Sequence, residues 1–217
     1  MQPKAANDQT RCMIAHSAIS EETLPAAEEH LGRACAVMAR LIATHGRCEI
    51  VGRNTSPFQT LAGSIMSQQL SAKAAATIKH RVLDIVPNFD PVGFLTASPD
   101  LLRAAGLSIA KARYICELAN RVNDGRINFD TFAKQSDDEV ISTLIELPGV
   151  GRWTAEMFLI FGLRRANVLA LGDAGLQRAA RLLYGVNVDL QTVGLTWQPY
   201  SSVASWYLWR HLDTAPA

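Results

Sequence analysis

The residues best suited to chemistry lie in the second half of the chain. Leu147-Pro148-Gly149-Val150-Gly151 stands between two apolar helical stretches. Proline stops the first helix, and the two glycines reach backbone angles that other residues resist, so the turn is tight and bare. Backbone N–H groups at the start of a helix near Arg152 can point at a phosphate oxygen, with a dipole contribution of roughly 0.3–1 kcal/mol. Arg152 can add one charge-assisted contact. A plain helix–helix turn accounts for the same glycines equally well.

Asp173 follows the apolar Leu169-Ala170-Leu171 and precedes a helix, the position of an N-cap. A capping position also orients a carboxylate rigidly, so a structural and a chemical role are compatible there. Three of the four tryptophans, Trp197, Trp206 and Trp209, fall close together near the C-terminus. Val203, Trp206, Tyr207 and Arg210 recur at helical spacing, which assigns Trp206 to a core and leaves Trp209 partly off the stripe. Gln68-Gln69 reads as a polar break between two helices.

Composition narrows the partners. With 21 Lys and Arg against 20 Asp and Glu the net charge is +1, so no broad basic surface holds a polyanion by bulk electrostatics and any such binding is local. There are five lysines, the last being Lys134; every basic side chain beyond it, histidine aside, is arginine. No apolar run is long enough to cross a bilayer and no signal segment opens the chain, which reads as cytoplasmic. Cys12, Cys35, Cys48 and Cys116 form neither a CxxC pair nor a zinc-like cluster, so free thiols are expected rather than a disulfide framework or a metal site. A length of 217 residues allows one compact body or two interlocked lobes.

Helices must do the positioning, because no convincing period-two strand is present and the fold class is all-α. Residues 1–22 are polar and aperiodic and read as a loose extension. Leu31, Cys35, Met38 and Ile42 mark one face of a helix over residues 22–45, closed by Gly46. A second helix begins at Pro57, and Gln68-Gln69-Leu70 interrupts it. Ser71 caps a third, striped by Ala75, Ile78, Val82 and Ile85. Ser98 and Ser108 cap two more, ended by Gly106 and Gly125. Ser136 and Glu139 form a capping-box pattern leading into the hairpin. Helices from about Arg152 to Leu163, Ala174 to Leu183 and Tyr200 to Leu212 complete the chain.

The run Leu147-Pro148-Gly149-Val150-Gly151-Arg152-Trp153-Thr154-Ala155, followed by Asp173, resembles the helix-hairpin-helix DNA glycosylase superfamily, and within it the 3-methyladenine glycosylase II branch. The likeness extends from about Ala26 to Leu212 through four ordered blocks. These are Ile65-Met66-Ser67-Gln68-Gln69-Leu70-Ser71, Gly106-Leu107-Ser108 with Lys111-Ala112-Arg113-Tyr114-Ile115, the hairpin, and Trp197-Gln198-Pro199-Tyr200 through Trp209-Arg210. It departs from the branch at Gly172, at Met157, where some relatives carry a pocket tyrosine, and at Ser201, where an arginine is common.

The resemblance implies a single glycosylase domain over residues 23–217 with no N-terminal β-domain. One lobe would comprise about 23–57 plus 174–213, the other about 58–173, with a cleft between them. Asp173 is then the catalytic carboxylate, stabilising an oxocarbenium-like sugar while an N-glycosidic bond is hydrolysed. Trp153, Met157 and Trp209 would line the base pocket, where stacking and cation–π attraction of about 0.5–2 kcal/mol favour a positively charged alkylated base. Leu147, Gly149, Val150, Gly151, Arg152 and Thr154 would contact DNA. A monovalent cation could sit on the carbonyls of Ile145, Leu147 and Val150. Gln69 or Leu70 would fill the gap left by a flipped base.

Bifunctional relatives carry a lysine where this chain has Trp153, so hydrolysis without lyase chemistry is expected. The iron–sulfur relatives carry four cysteines after the aspartate, and none follows Cys116 here, so no cluster and no required cofactor are expected. The implied partner is double-stranded DNA containing alkylated bases, bound by a monomer. Two other readings remain: a helix-hairpin-helix DNA-binding module without catalysis, and a glycosylase for deaminated or mismatched bases.

Overall fold

The computed structural model describes residues 18–52 and 55–214. They form helices α1 (Leu24–Ala34), α2 (Ala36–His45), α3 (Pro57–Ser67), α4 (Ala72–Ile85), α5 (Pro91–Thr96), α6 (Pro99–Ala104), α7 (Ile109–Asn123), α8 (Phe129–Phe132) and α9 (Asp137–Ile145). After the hairpin come α10 (Arg152–Phe161), α11 (Ala174–Tyr184), α12 (Leu190–Gly194), a 3-10 turn (Leu195–Trp197) and α13 (Ser201–Thr214). Among the described residues the sole β feature is an isolated bridge between Ala18 and Arg165, so the all-α expectation holds.

The chain divides into two compact units, Met1–Asn54 with Leu159–Ala217, and Thr55–Phe158. The sequence placed the second boundary near 173; it lies inside α10 instead. The segment after α10 bonds to the first unit: Ile19 N–H donates to the Arg164 carbonyl at 2.7 Å, and Ser202 N–H to that of Ala166 at 3.1 Å. Ile19 is also buried, so the loose extension expected over 1–22 does not include it. The earlier part of that stretch, with Cys12, lies outside the described residues.

In the first unit α13 is central, packing on α1, α2 and α11. Its residues Ser201 to Leu208 are all buried, which requires every polar atom among them to find a partner. The Ser201 hydroxyl donates to Asn167 Oδ1 at 2.7 Å, and that of Ser205 to the Ser201 carbonyl at 2.8 Å. Ser202 Oγ accepts from Val168 N–H at 2.9 Å. At Ser201, where an arginine is common in the branch, the small hydroxyl is buried and bound to Asn167. Trp206 is core, as its spacing requires, and Trp197 is fully buried.

The single helix expected over 22–45 is broken. Cys35 is extended (φ −149°, ψ 121°), ending α1 and starting α2. The break re-aims the apolar face: Leu24, Ala27 and Leu31 are buried from α1, Met38 and Leu41 from α2, whereas Cys35 and Ile42 are only half-buried.

In the second unit α7 is central, packing on α3, α5 and α6. Ser108 caps it by accepting the Lys111 N–H at 3.2 Å, and Ala112, Ile115, Leu118 and Ala119 face inward. The Ser136–Glu139 capping box forms as expected; a second, Ser56 with Gln59, opens α3. Helix α4 buries only Val82 fully, so the stripe expected from Ala75 to Ile85 is shallower than its spacing suggests.

Candidate functional site

Asp173 is both cap and oriented carboxylate. It stands at the N-cap of α11, where its Oδ1 accepts the Leu176 N–H at 2.7 Å. The same oxygen accepts the indole Nε1–H of Trp209 at 3.0 Å. Two donors from different helices thus fix a residue that is only 8% exposed.

Gly175, in the first turn of α11, makes this approach possible. A Cβ there would lie 3.0 Å from Asp173 Oδ1 and 3.3 Å from Trp209 Cδ1. Sequence reasoning passed over this residue. The signal was a glycine inside a helix, which costs about 1 kcal/mol relative to alanine and calls for a packing reason.

Trp209 is half-buried and its ring lies beside Phe161, centroids 5.8 Å apart and planes inclined by 35°. These two, with Trp206, Glu49, Arg210 and Asp213, line a recess of about 230 Å³. Trp209 therefore does two jobs: its polar edge holds the carboxylate and its ring walls a cavity whose other sides are aromatic and charged, two carboxylates and one guanidinium. All these residues belong to the first unit.

The second unit holds the hairpin. Gly149 adopts φ +82°, and a Cβ there would run into the Tyr114 ring, so both conformation and space demand glycine. Val150 N–H donates to the Leu147 carbonyl at 3.1 Å. That amide is committed within the turn, as is one lone pair of a carbonyl named for the cation. The first intrahelical bond of α10 is Ala155 N–H to the Gly151 carbonyl, 3.0 Å. The backbone amides of Arg152 and Thr154, in the first turn, face the N-terminal end of the helix, as phosphate binding needs.

Leu147 and Val150 are buried, so only their backbone can meet a ligand. Arg152 is exposed, and its Nε donates to Glu156 Oε1 at 3.1 Å. Thr154 differs in its side chain. It is 4% exposed, and its hydroxyl faces the Gln68 amide at 3.4 Å, because the first turn of α10 rotates it inward. It supports the turn from within and does not present a side chain to DNA.

Trp153 is 47% exposed, and Met157, one turn further along α10, is buried. Gln69 and Leu70 are exposed between α3 and α4, with Gln69 at φ +57°. Three residues that sequence reasoning did not assign lie at this loop or at the hairpin. Gln68 Nε2 donates to the Gly149 carbonyl at 2.8 Å. Lys111 Nζ donates to the carbonyls of Met66 at 3.0 Å and Gln68 at 2.6 Å. Tyr114 lies against Gly149. Burial pushes the Lys111 ammonium below the usual lysine range.

A chain of helices carrying a glycine hairpin that opens onto a helix N-terminus, and an aspartate fixed at another, defines a helix-hairpin-helix protein. It belongs to the HhH-GPD superfamily of base excision DNA repair proteins, whose family model matches residues 62–195. The chain is 31% identical over 163 residues to DNA-3-methyladenine glycosylase 1 of Schizosaccharomyces pombe, covering 71% of this chain and 72% of that one. It is 26% identical to the putative DNA-3-methyladenine glycosylase YfjP of Bacillus subtilis, over 73% of this chain; it spans only 60% of that relative's length. The solved structure of S. pombe 3-methyladenine DNA glycosylase Mag1 in complex with abasic DNA superposes with a TM-score of 0.75. Identity there is 29%, covering 87% of this chain and 97% of that one.

Proposed function

We propose that this chain is a monofunctional DNA glycosylase that hydrolyses the N-glycosidic bond of alkylated bases of the 3-methyladenine type in duplex DNA, leaving an abasic site. The carrying observation is Asp173, whose Oδ1 is held by both Leu176 N–H and Trp209 Nε1–H. A carboxylate fixed in advance stabilises the positive charge that develops at the anomeric carbon without reorganising at the moment of reaction. It also orients the attacking water.

An N-alkylated purine is cationic and already a good leaving group, so selection matters more than proton donation. Supporting this substrate class, the recess beside Trp209 combines Phe161 and Trp206 with Glu49 and Asp213, two carboxylates against the single cation of Arg210. Aromatic faces and carboxylates both favour a flat cation over a neutral base. Trp153 in place of a lysine, and the lack of any lysine after Lys134, support hydrolysis without strand cleavage. The protein acts as a cytoplasmic monomer on double-stranded DNA.

Chromatography of bases released from methylated DNA tests this reading. Release of 3-methyladenine is expected. Release of uracil or thymine alone points to deaminated or mismatched substrates, and binding with no released base reduces the chain to a DNA-binding module.

A further inference from the structure

We infer that Lys111, Tyr114 and Gln68 form a clamp that joins the Gln69-Leu70 loop to the hairpin, so that docking of the hairpin sets where the loop enters the duplex. The inference rests on the reading of this chain as an enzyme that opens duplex DNA, and it assigns positioning residues rather than catalytic ones.

Three ties close a triangle within the second unit. Helix α7 supplies two from one face, since Lys111 and Tyr114 are three residues apart and neighbours on a helix surface. Lys111 Nζ binds the carbonyls of Met66 and Gln68, 3.0 and 2.6 Å away. Tyr114 fills the space that a side chain at Gly149 would need. Gln68 closes the third side, its amide donating to the Gly149 carbonyl at 2.8 Å.

Each tie has a physical reason. At the end of α3 the last carbonyls have no helical N–H ahead of them. A lysine ammonium satisfies two at once and matches the negative end of the helix dipole. That bond lets the chain leave the helix abruptly, with Gln69 in the left-handed region at φ +57°, a conformation that persists in a residue other than glycine only when its surroundings impose it. Leu70, 36% exposed, is thereby carried at the tip of a loop that cannot retreat. A side chain that enters a base stack is pushed back by an unstacking cost of a few kcal/mol, so the loop behind it must be stiff.

The test uses the full chain with two duplexes, one intact and one containing a tetrahydrofuran abasic analogue beside 2-aminopurine. Wild-type protein is expected to prefer the abasic duplex and to raise aminopurine fluorescence as the loop displaces the neighbouring stack. Lys111→Met keeps the side chain's length but removes both charge-assisted bonds. It is expected to lower the abasic-over-intact preference about tenfold or more and to shrink the fluorescence rise, with the ratio rather than intact-duplex affinity carrying the loss. Gln68→Met is expected to act in the same direction, and it decides the matter if Lys111→Met does not fold. Wild-type preference in both variants, or an equal loss on both duplexes, overturns the clamp. A wild-type protein with no abasic preference overturns it too, whatever bases it releases. Normal abasic preference without base release would instead sink the glycosylase reading and leave the clamp standing.

Discussion

Replacing Asp173 by asparagine separates what the carboxylate does for the fold from what it does for the reaction. Asparagine keeps an oxygen where Oδ1 accepts from Leu176 N–H at 2.7 Å and Trp209 Nε1–H at 3.0 Å, and it caps helices about as well as aspartate. The stability lost is the charge's interaction with the α11 dipole, roughly 0.3–1 kcal/mol and at most about 2. For a chain of this size that lowers the melting temperature by about 2–4 °C per kcal/mol. On the proposed mechanism catalysis should lose more, because the negative charge held for the developing oxocarbenium ion is gone. Removal of one preorganised electrostatic group typically costs about 10²–10³ in rate.

Alanine is the control. It removes the cap, at about 0.5–2 kcal/mol, and strips the partly buried Trp209 Nε1–H of its acceptor, at about 1–3 kcal/mol more. Single-turnover release of 3-methyladenine from methylated DNA, read beside thermal melting, should show both variants slow and only alanine markedly less stable. Asparagine protein that released the base at wild-type rate would refute the catalytic assignment. Equal destabilisation by both substitutions would refute the geometry behind it.

Gly149→Ala should cost about 1–3 kcal/mol, since it forces a side chain to φ +82° and into the Tyr114 ring, and it should weaken binding to intact and abasic duplexes alike by fluorescence anisotropy. Borohydride added during turnover should trap no protein–DNA adduct; a covalent band on a denaturing gel would show imine chemistry and end the monofunctional reading. His45 contributes a pH dependence near neutrality. Burial first, then His211 and Arg210, push its pKa below 6.5, so the unfolded chain takes up its proton more readily than the folded one. Stability is then fully present above about pH 6.5 and is lost as pH falls through the lowered value. Thermal melts between about pH 5 and about pH 8 should show this slope, and His45→Gln should flatten it.

Much was legible in the sequence because it is local. Ser71, Ser108, Ser136 with Glu139, and Asp173 each cap the helix they precede, since a cap needs only a side-chain oxygen three residues from an N–H. Proline and glycine in Leu147-Pro148-Gly149-Val150-Gly151 set a turn by their own dihedral limits. The spacing of Val203, Trp206 and Tyr207 put Trp206 in a core, and the structure buries it. What failed was also physical. The stripe from Leu31 to Ile42 ran through Cys35 unbroken on paper, yet tertiary packing pays for an extended residue there to aim two short helices separately.

The sequence by itself determined that this is a helical chain with a hairpin, a capping aspartate and a cluster of aromatics, because those properties depend on neighbours a few positions away. Only the tertiary structure decided which groups share an atom or a surface. Trp209 is 36 residues from the Asp173 oxygen it binds, Gln68 is 81 from the Gly149 carbonyl it holds, and Lys111 is 43 from that of Gln68. No spacing rule reaches across such intervals; packing of α13 against α11, and of α7 against α3, brings these groups within hydrogen-bonding distance. The same packing turned the Thr154 side chain inward.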